Sequence, residues 1–174
     1  MFNVLYNPVI QGRVATPDGT ETLDLTPGTE APPCAVSSWS NLKFSVVSWC
    51  KTRGYHLVDA FGIESYDYAE GSPLTQVTLS TGKKLTCHPD SVIPLLRHKT
   101  LDPRVEEGCI RAKDLKSGDS LIGCSFDDLT KSNAVEVKVV KVKPKSADAK
   151  GCLVSFSTQD RVPVGVAGVL LYPY

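Results

Sequence analysis

Apolar and polar positions alternate with a period of two along most of the chain, and sustained helical spacing is hard to find. Ser40–Lys51 comes nearest to a helix, but its Val, Trp, Ser and Phe content suits a strand better. Extended segments are predicted at Val4–Ile10, Lys43–Cys50, His56–Phe61, Leu74–Leu79, Lys83–Cys87, Ser91–Leu96, Ser120–Cys124, Ala134–Lys143, Cys152–Ser157 and Val166–Tyr172. Turn chemistry separates them at Pro17-Asp18-Gly19, Thr26-Pro27-Gly28, Thr52-Arg53-Gly54, Ser80-Thr81-Gly82 and Ser117-Gly118-Asp119. The expected class is all-β with minimal helix.

Three segments carry more detail. Leu74–Cys87 reads as a hairpin with Val77 and Leu79 on one face and Gly82 supplying the positive φ of the turn. Ala134–Lys143 is a long strand of alternating Val and charge whose phase slips at Val139-Val140, as a bulge or bend requires. A bent strand of that length can serve two sheets. In Arg111–Gly123 one helical turn, with Leu115 inward, is predicted to stop at Ser117-Gly118 before a strand starts at Ser120.

Two segments read as loops or insertions. Thr16–Pro33, rich in Pro, Gly, Thr and Glu, suits an exposed ribbon or an arm, and Arg97–Glu107 a surface loop. Lysines at 138, 141, 143, 145 and 150 could meet an acidic partner, with Lys141 and Lys143 the contact candidates. A solvated strand face that discourages edge pairing is the simpler reading.

Composition narrows the function classes. The 174 residues make one domain of ordinary size, able to bury a core without disulfides or metal. Nineteen Lys+Arg balance nineteen Asp+Glu, which argues against blanket phosphate neutralisation and makes nucleic acid an unlikely partner. No segment reaches the roughly 18 apolar residues of a bilayer span, and the N-terminal residues do not read as a signal peptide. A cytoplasmic setting is therefore expected. The six cysteines are widely spaced with no CxxC pair, so reduced and mostly buried thiols are expected. No metal site or cofactor is predicted, Cys87-His88 being too little for one.

In order along the chain, these segments resemble the Hint fold of inteins, bacterial intein-like domains and Hedgehog autoprocessing domains. Val77–Ile93 is similar to that family's hairpin block, a strand, a tight turn, a strand, then T-x-x-H and an apolar pair. Ala112-Lys-Asp-Leu-Lys-Ser-Gly-Asp-Ser-Leu121 is similar to the A-x-x-L-x-x-G-D-x-L/V that follows it, and Gly151–Tyr174 to the closing blocks. The likeness covers 44–174, while 1–43 matches poorly, as an arm or as first strands. It implies a single horseshoe-shaped, pseudo-twofold β domain with long bent strands and hairpins, its ends meeting at the centre.

The resemblance also implies where reactive groups would stand. The nucleophile position, a Cys or Ser in the family, falls near Phe2. Counted without gaps from Gly82, the block threonine falls at His88 and the block histidine at Ser91. Sliding the register to make His88 the catalytic histidine breaks the match at Val92-Ile93. The closing histidine falls at Arg161, and the final His-Asn pair at Tyr172-Pro173. Proline cannot form the succinimide by which that Asn cuts its own backbone. Every expected reactive position holds a residue unable to do the reaction.

Other candidates are weaker. Cys34 could act as an alternative nucleophile, making the chain a self-processing cysteine peptidase, but only ten residues separate it from Phe44. Cys87 and His88 face opposite ways on a strand. Trp39, Trp49 and Phe44 suit core or partner packing, and Tyr172 and Tyr174, alongside Tyr66 and Tyr68, suit partner contact. The expectation is a non-catalytic Hint-fold module that binds a protein partner or self-assembles, in the role of a phage virion component or an accessory protein. A small β-rich nucleic-acid-binding domain using the Lys138–Lys150 strand is the remaining alternative.

Overall fold

The computed structural model describes residues 5–6, 10–16, 19–25, 44–148 and 152–174, with side chains described for 44–62, 68–148 and 153–174. The strands are β1 (Leu5–Tyr6), β2 (Ile10–Thr16), β3 (Gly19–Leu25), β4 (Phe44–Cys50), β5 (Gly54–Asp67), β6 (Pro73–Leu79) and β7 (Lys84–Cys87). They continue with β8 (Val92–Arg97), β9 (Cys109–Arg111), β10 (Ser120–Gly123), β11 (Val135–Ser146), β12 (Cys152–Thr158), β13 (Val164–Val166) and β14 (Val169–Leu171). Helix is limited to single 3-10 turns at Ala112–Asp114, Phe126–Thr130 and Gln159–Arg161 among the described residues.

Two long strands organise the molecule in the same way, which gives it its pseudo-twofold character. Residues 54–60 of β5 pair with β4, and the remainder pairs with β12. In β11 the first four residues pair with β10, and those from Val139 onward pair with β6. The register of β11 slips between Val139 and Lys141, leaving Val140 half exposed. The lost alternation in the sequence is this bulge. It lets one strand leave one sheet and join another.

The main core fills the space between these arms. Val77, Leu79, Ile93, Leu121, Val154 and Val169 are fully buried there, and the Phe44 and Phe156 rings meet edge to face at 5.4 Å. Such ring pairs add about 1 kcal/mol to the area they bury. A second cluster joins Val47, Tyr55, Ile122, Cys124 and Leu170, with Trp49 packed against it. Leu115 is buried after the Ala112–Asp114 turn, and Gly118 takes φ 93° where the chain reverses into β10.

Two sequence expectations need correction, and one choice between alternatives is decided. Val4–Ile10 is not one strand: Leu5–Tyr6 and Ile10–Thr16 belong to separate strands. Of the two readings of Thr16–Pro33, the ribbon holds over Gly19–Leu25, which pairs residue for residue with β2. Val166–Tyr172 is a hairpin, because Ala167 and Gly168 both take positive φ and reverse the chain between β13 and β14. Those dihedrals are the ones a two-residue primed turn needs, and alanine gives no sequence signal for them.

Candidate functional site

Both ends of the described chain converge on β12. Leu5 of β1 pairs with Val154, and also with Cys87 at the end of β7. Two residues further along β12, the Phe156 N–H donates to the Pro173 carbonyl at 3.0 Å. The Tyr172 N–H donates to the Val92 carbonyl at 3.2 Å. Residues 91–92 and 172–173, far apart in sequence, are thereby held side by side.

Ser91 is completely buried, and its hydroxyl bonds the Cys87 sulfur. Its carbonyl accepts from the Ala112 N–H at 2.8 Å, and its own N–H donates to the His88 carbonyl. Burial pushes the Cys87 thiol up to about 12, against a smaller opposing effect of that hydroxyl. Such a thiol carries almost no thiolate near neutral pH. His88 points away from it. Its Nδ1 accepts the Asp90 N–H at 3.1 Å, and its ring meets Tyr68 at 6.3 Å. Asp90 is held by Lys113 at 3.0 Å and Arg111 at 3.4 Å. The Lys113 bond is the main reason its carboxyl lies below the usual carboxylate range.

Arg161 is brought to the chain's last residues. Asp160 and Arg161 take φ 63° and 53°, a strained pair of left-handed residues. That turn aims the guanidinium over the Tyr174 ring at 5.0 Å, while the Tyr174 hydroxyl donates to the Arg161 carbonyl. Tyr174 packs edge to face on Tyr172 at 5.8 Å. The Tyr172 hydroxyl donates to the Cys109 sulfur, and burial raises both groups above their ordinary values.

Cys109, Tyr172 and Tyr174 line a cleft of about 730 Å³, with Val92 beside them on its apolar side and Glu106, Glu107, Arg111 and Lys113 at its polar edge. That size is typical of ligand and segment-binding clefts. No histidine lines it. Among the described residues no three His, Cys, Asp or Glu side chains come together as a metal site, and no helix is long and apolar enough to cross a membrane.

Of the positions expected from sequence, Tyr172 and Pro173 are bonded to Val92 and Phe156, Arg161 lies over Tyr174, Ser91 is buried, and His88 meets Asp90 and Tyr68. Phe2, Cys34, Trp39 and Lys150 lie outside the described residues. Lys141 and Lys143 stand apart on β11, opposite Thr78 and Gln76 of β6. The cleft residues that sequence reading missed are Cys109 and the Glu106–Glu107 pair, since a lone thiol and two surface acids give no distinctive spacing. Arg97–Glu107 is also more than a surface loop: Arg104 within it is mostly buried between Asp102 and Asp119, each at 2.8 Å.

No family model matches the sequence, and no curated protein matches it. Solved structures do match over nearly the whole chain. The bacterial intein-like domain from Clostridium thermocellum is similar with TM-score 0.58 and 15% identity, covering 99% of both chains. The transcription factor IIB Mvu mini-intein gives TM-score 0.68 at 11% identity, again over 99% of each. An Ssp DnaB mini-intein variant gives 0.64 at 4% identity, over 99% of this chain and 95% of that one. The chain therefore has the Hint fold, and identities this low speak to fold alone.

Proposed function

We propose that this Hint-fold chain is a non-catalytic module that binds another protein through the cleft beside Tyr172 and Tyr174. The observation that carries the reading is the Phe156–Pro173–Tyr172–Val92 set of backbone bonds. It fixes positions 172 and 173, which the resemblance aligns with a reactive His-Asn pair, and the side chains there are a half-buried phenol and a pyrrolidine ring. Pro173 has no side-chain amide to cyclise. The guanidinium of Arg161 offers only hydrogen-bond donors and no acceptor, so position 161 supplies no general base. The aromatic pair and the mixed charged edge suit an anchor-and-rim protein contact, in which buried tyrosines carry most of the energy.

Intact-mass measurement after expression and after incubation with hydroxylamine or a thiol tests the missing chemistry. One full-length species is expected. Release of a fragment ending at residue 33 would overturn the reading and make Cys34 a nucleophile. Sedimentation across a concentration series tests the binding surface against self-association, with Tyr172→Ala and Tyr174→Ala expected to abolish any dimer formed there.

A further inference from the structure

On the far side of Pro103 and Arg104, which line both, lies a second cleft of about 670 Å³. Arg97 from β8, Lys99 from the loop after it, Lys116 from the turn before β10 and Lys138 from β11 surround it. The first and last of these four cations lie 41 residues apart in sequence, so the fold collects them rather than a local charge run. Two carboxylates also line the cleft, but Arg104 engages both. It meets Asp102 and Asp119 at 2.8 Å each. Arg97 and Lys138 share Glu136 at 3.5 and 3.9 Å. Neither Lys99 nor Lys116 has an ion-pair partner among the described residues. The cleft thus presents a positive surplus on a chain whose net charge is zero.

Its other features say which anion fits. Three of the four backbone N–H groups of the 116–119 turn are already engaged: that of Lys116 by the Asp119 carboxylate, that of Gly118 by the Val139 carbonyl and that of Asp119 by the Lys116 carbonyl. No concave nest of free N–H groups is left for a single phosphate. No Phe, Tyr or Trp lines the cleft to stack a nucleobase. Instead Leu95 lies at its base and Leu101, 92% exposed, stands at its rim. Spread cations beside an exposed aliphatic side chain complement a run of Asp or Glu that carries an aliphatic residue.

We propose that this cleft is a docking site for an acidic protein segment, with Lys99 and Lys116 reading its charge and Leu101 its aliphatic residue. The site is separate from the Tyr172–Tyr174 cleft and stands whether or not that one binds a partner.

The test is fluorescence anisotropy with a labelled peptide of glutamates around one leucine. We expect binding that weakens as salt rises, and a loss of ~10-fold or more in Lys99→Glu/Lys116→Glu. Leu101→Ser should lose a few-fold, about what one exposed aliphatic contact supplies. Lys141→Glu/Lys143→Glu, outside the cleft, should bind as the unchanged protein does. Lys99→Gln/Lys116→Gln serves if the charge reversal fails to fold. Equal losses in both double variants, binding of the glutamine counterpart peptide, or tighter binding of a single-stranded oligonucleotide would each overturn the proposal.

Discussion

The Tyr55 hydroxyl donates to the Gly123 carbonyl at 2.7 Å inside the second core cluster. The same oxygen accepts the Val135 N–H at 2.8 Å, so one side chain of β5 ties the end of β10 to the start of β11. Both long bent strands are fixed to one another through this atom. Tyr55→Phe keeps the ring but strands two backbone groups, at a cost of about 1–3 kcal/mol. Urea unfolding should show the midpoint fall with an unchanged slope. A variant as stable as the parent would mean that water replaces the hydroxyl.

Gly165 is fixed by packing rather than by dihedral preference. A Cβ there would stand 2.4 Å from the Cys124 carbonyl oxygen, a backbone atom that cannot step aside without moving the end of β10. Gly71, by contrast, takes φ 81° with nothing near its absent Cβ. Gly71→Ala should therefore cost about 1 kcal/mol, the ordinary left-handed penalty. Gly165→Ala should cost several times more, or prevent folding. Thermal melts of the two variants side by side decide the ranking.

This contrast also shows what the sequence could and could not reveal. The bulge at Val140 was legible, because a slip in strict alternation has few other causes. The Gly118 turn and buried Leu115 were legible from a short helical turn stopped by glycine. The β13–β14 hairpin was not, since Ala167 occupies a turn position usually held by Asn, Asp or Gly. Nor was the role of Tyr55, because nothing local separates a tyrosine that bridges two strands from one that lies on the surface. At the site, the order of motifs drew attention to residues 88–92, 161 and 172–173, while Cys109 and Arg104 depend on long-range contacts that leave no periodic trace.

Thiol reactivity should follow burial. Burial pushes both Cys87 and Cys124 up to about 12, whereas a hydrogen bond from Thr52 draws the Cys50 thiol below its ordinary value. Among Cys50, Cys87, Cys109 and Cys124, all free thiols, Cys50 should be alkylated first near neutral pH. Cys87 and Cys124 should react only on unfolding. Peptide mapping after timed iodoacetamide treatment measures the order. Fast native labelling of Cys87 would contradict its burial and reopen it as a nucleophile.

Acid should weaken the fold through Arg104. The side-chain bond from Arg104 is the largest reason that the Asp102 carboxyl lies below the usual carboxylate range. A group whose folded value is depressed binds protons more readily when unfolded. Its stabilisation is complete above the unfolded value near 4 and is lost as pH falls through the folded value. Asp90, depressed mainly by Lys113, adds to the same limb. Stability should thus hold steady from neutral down to about pH 4 and decline below it. Arg104→Gln removes the cation that lowers Asp102, so it should be less stable at neutral pH and decline less steeply in acid. The two stability curves, from urea titrations at several pH values, should converge as pH drops. Parallel curves would mean that Arg104 acts by packing alone. Convergence would mean that charge at Asp102 holds the 102–104 segment, which forms the wall between the two clefts.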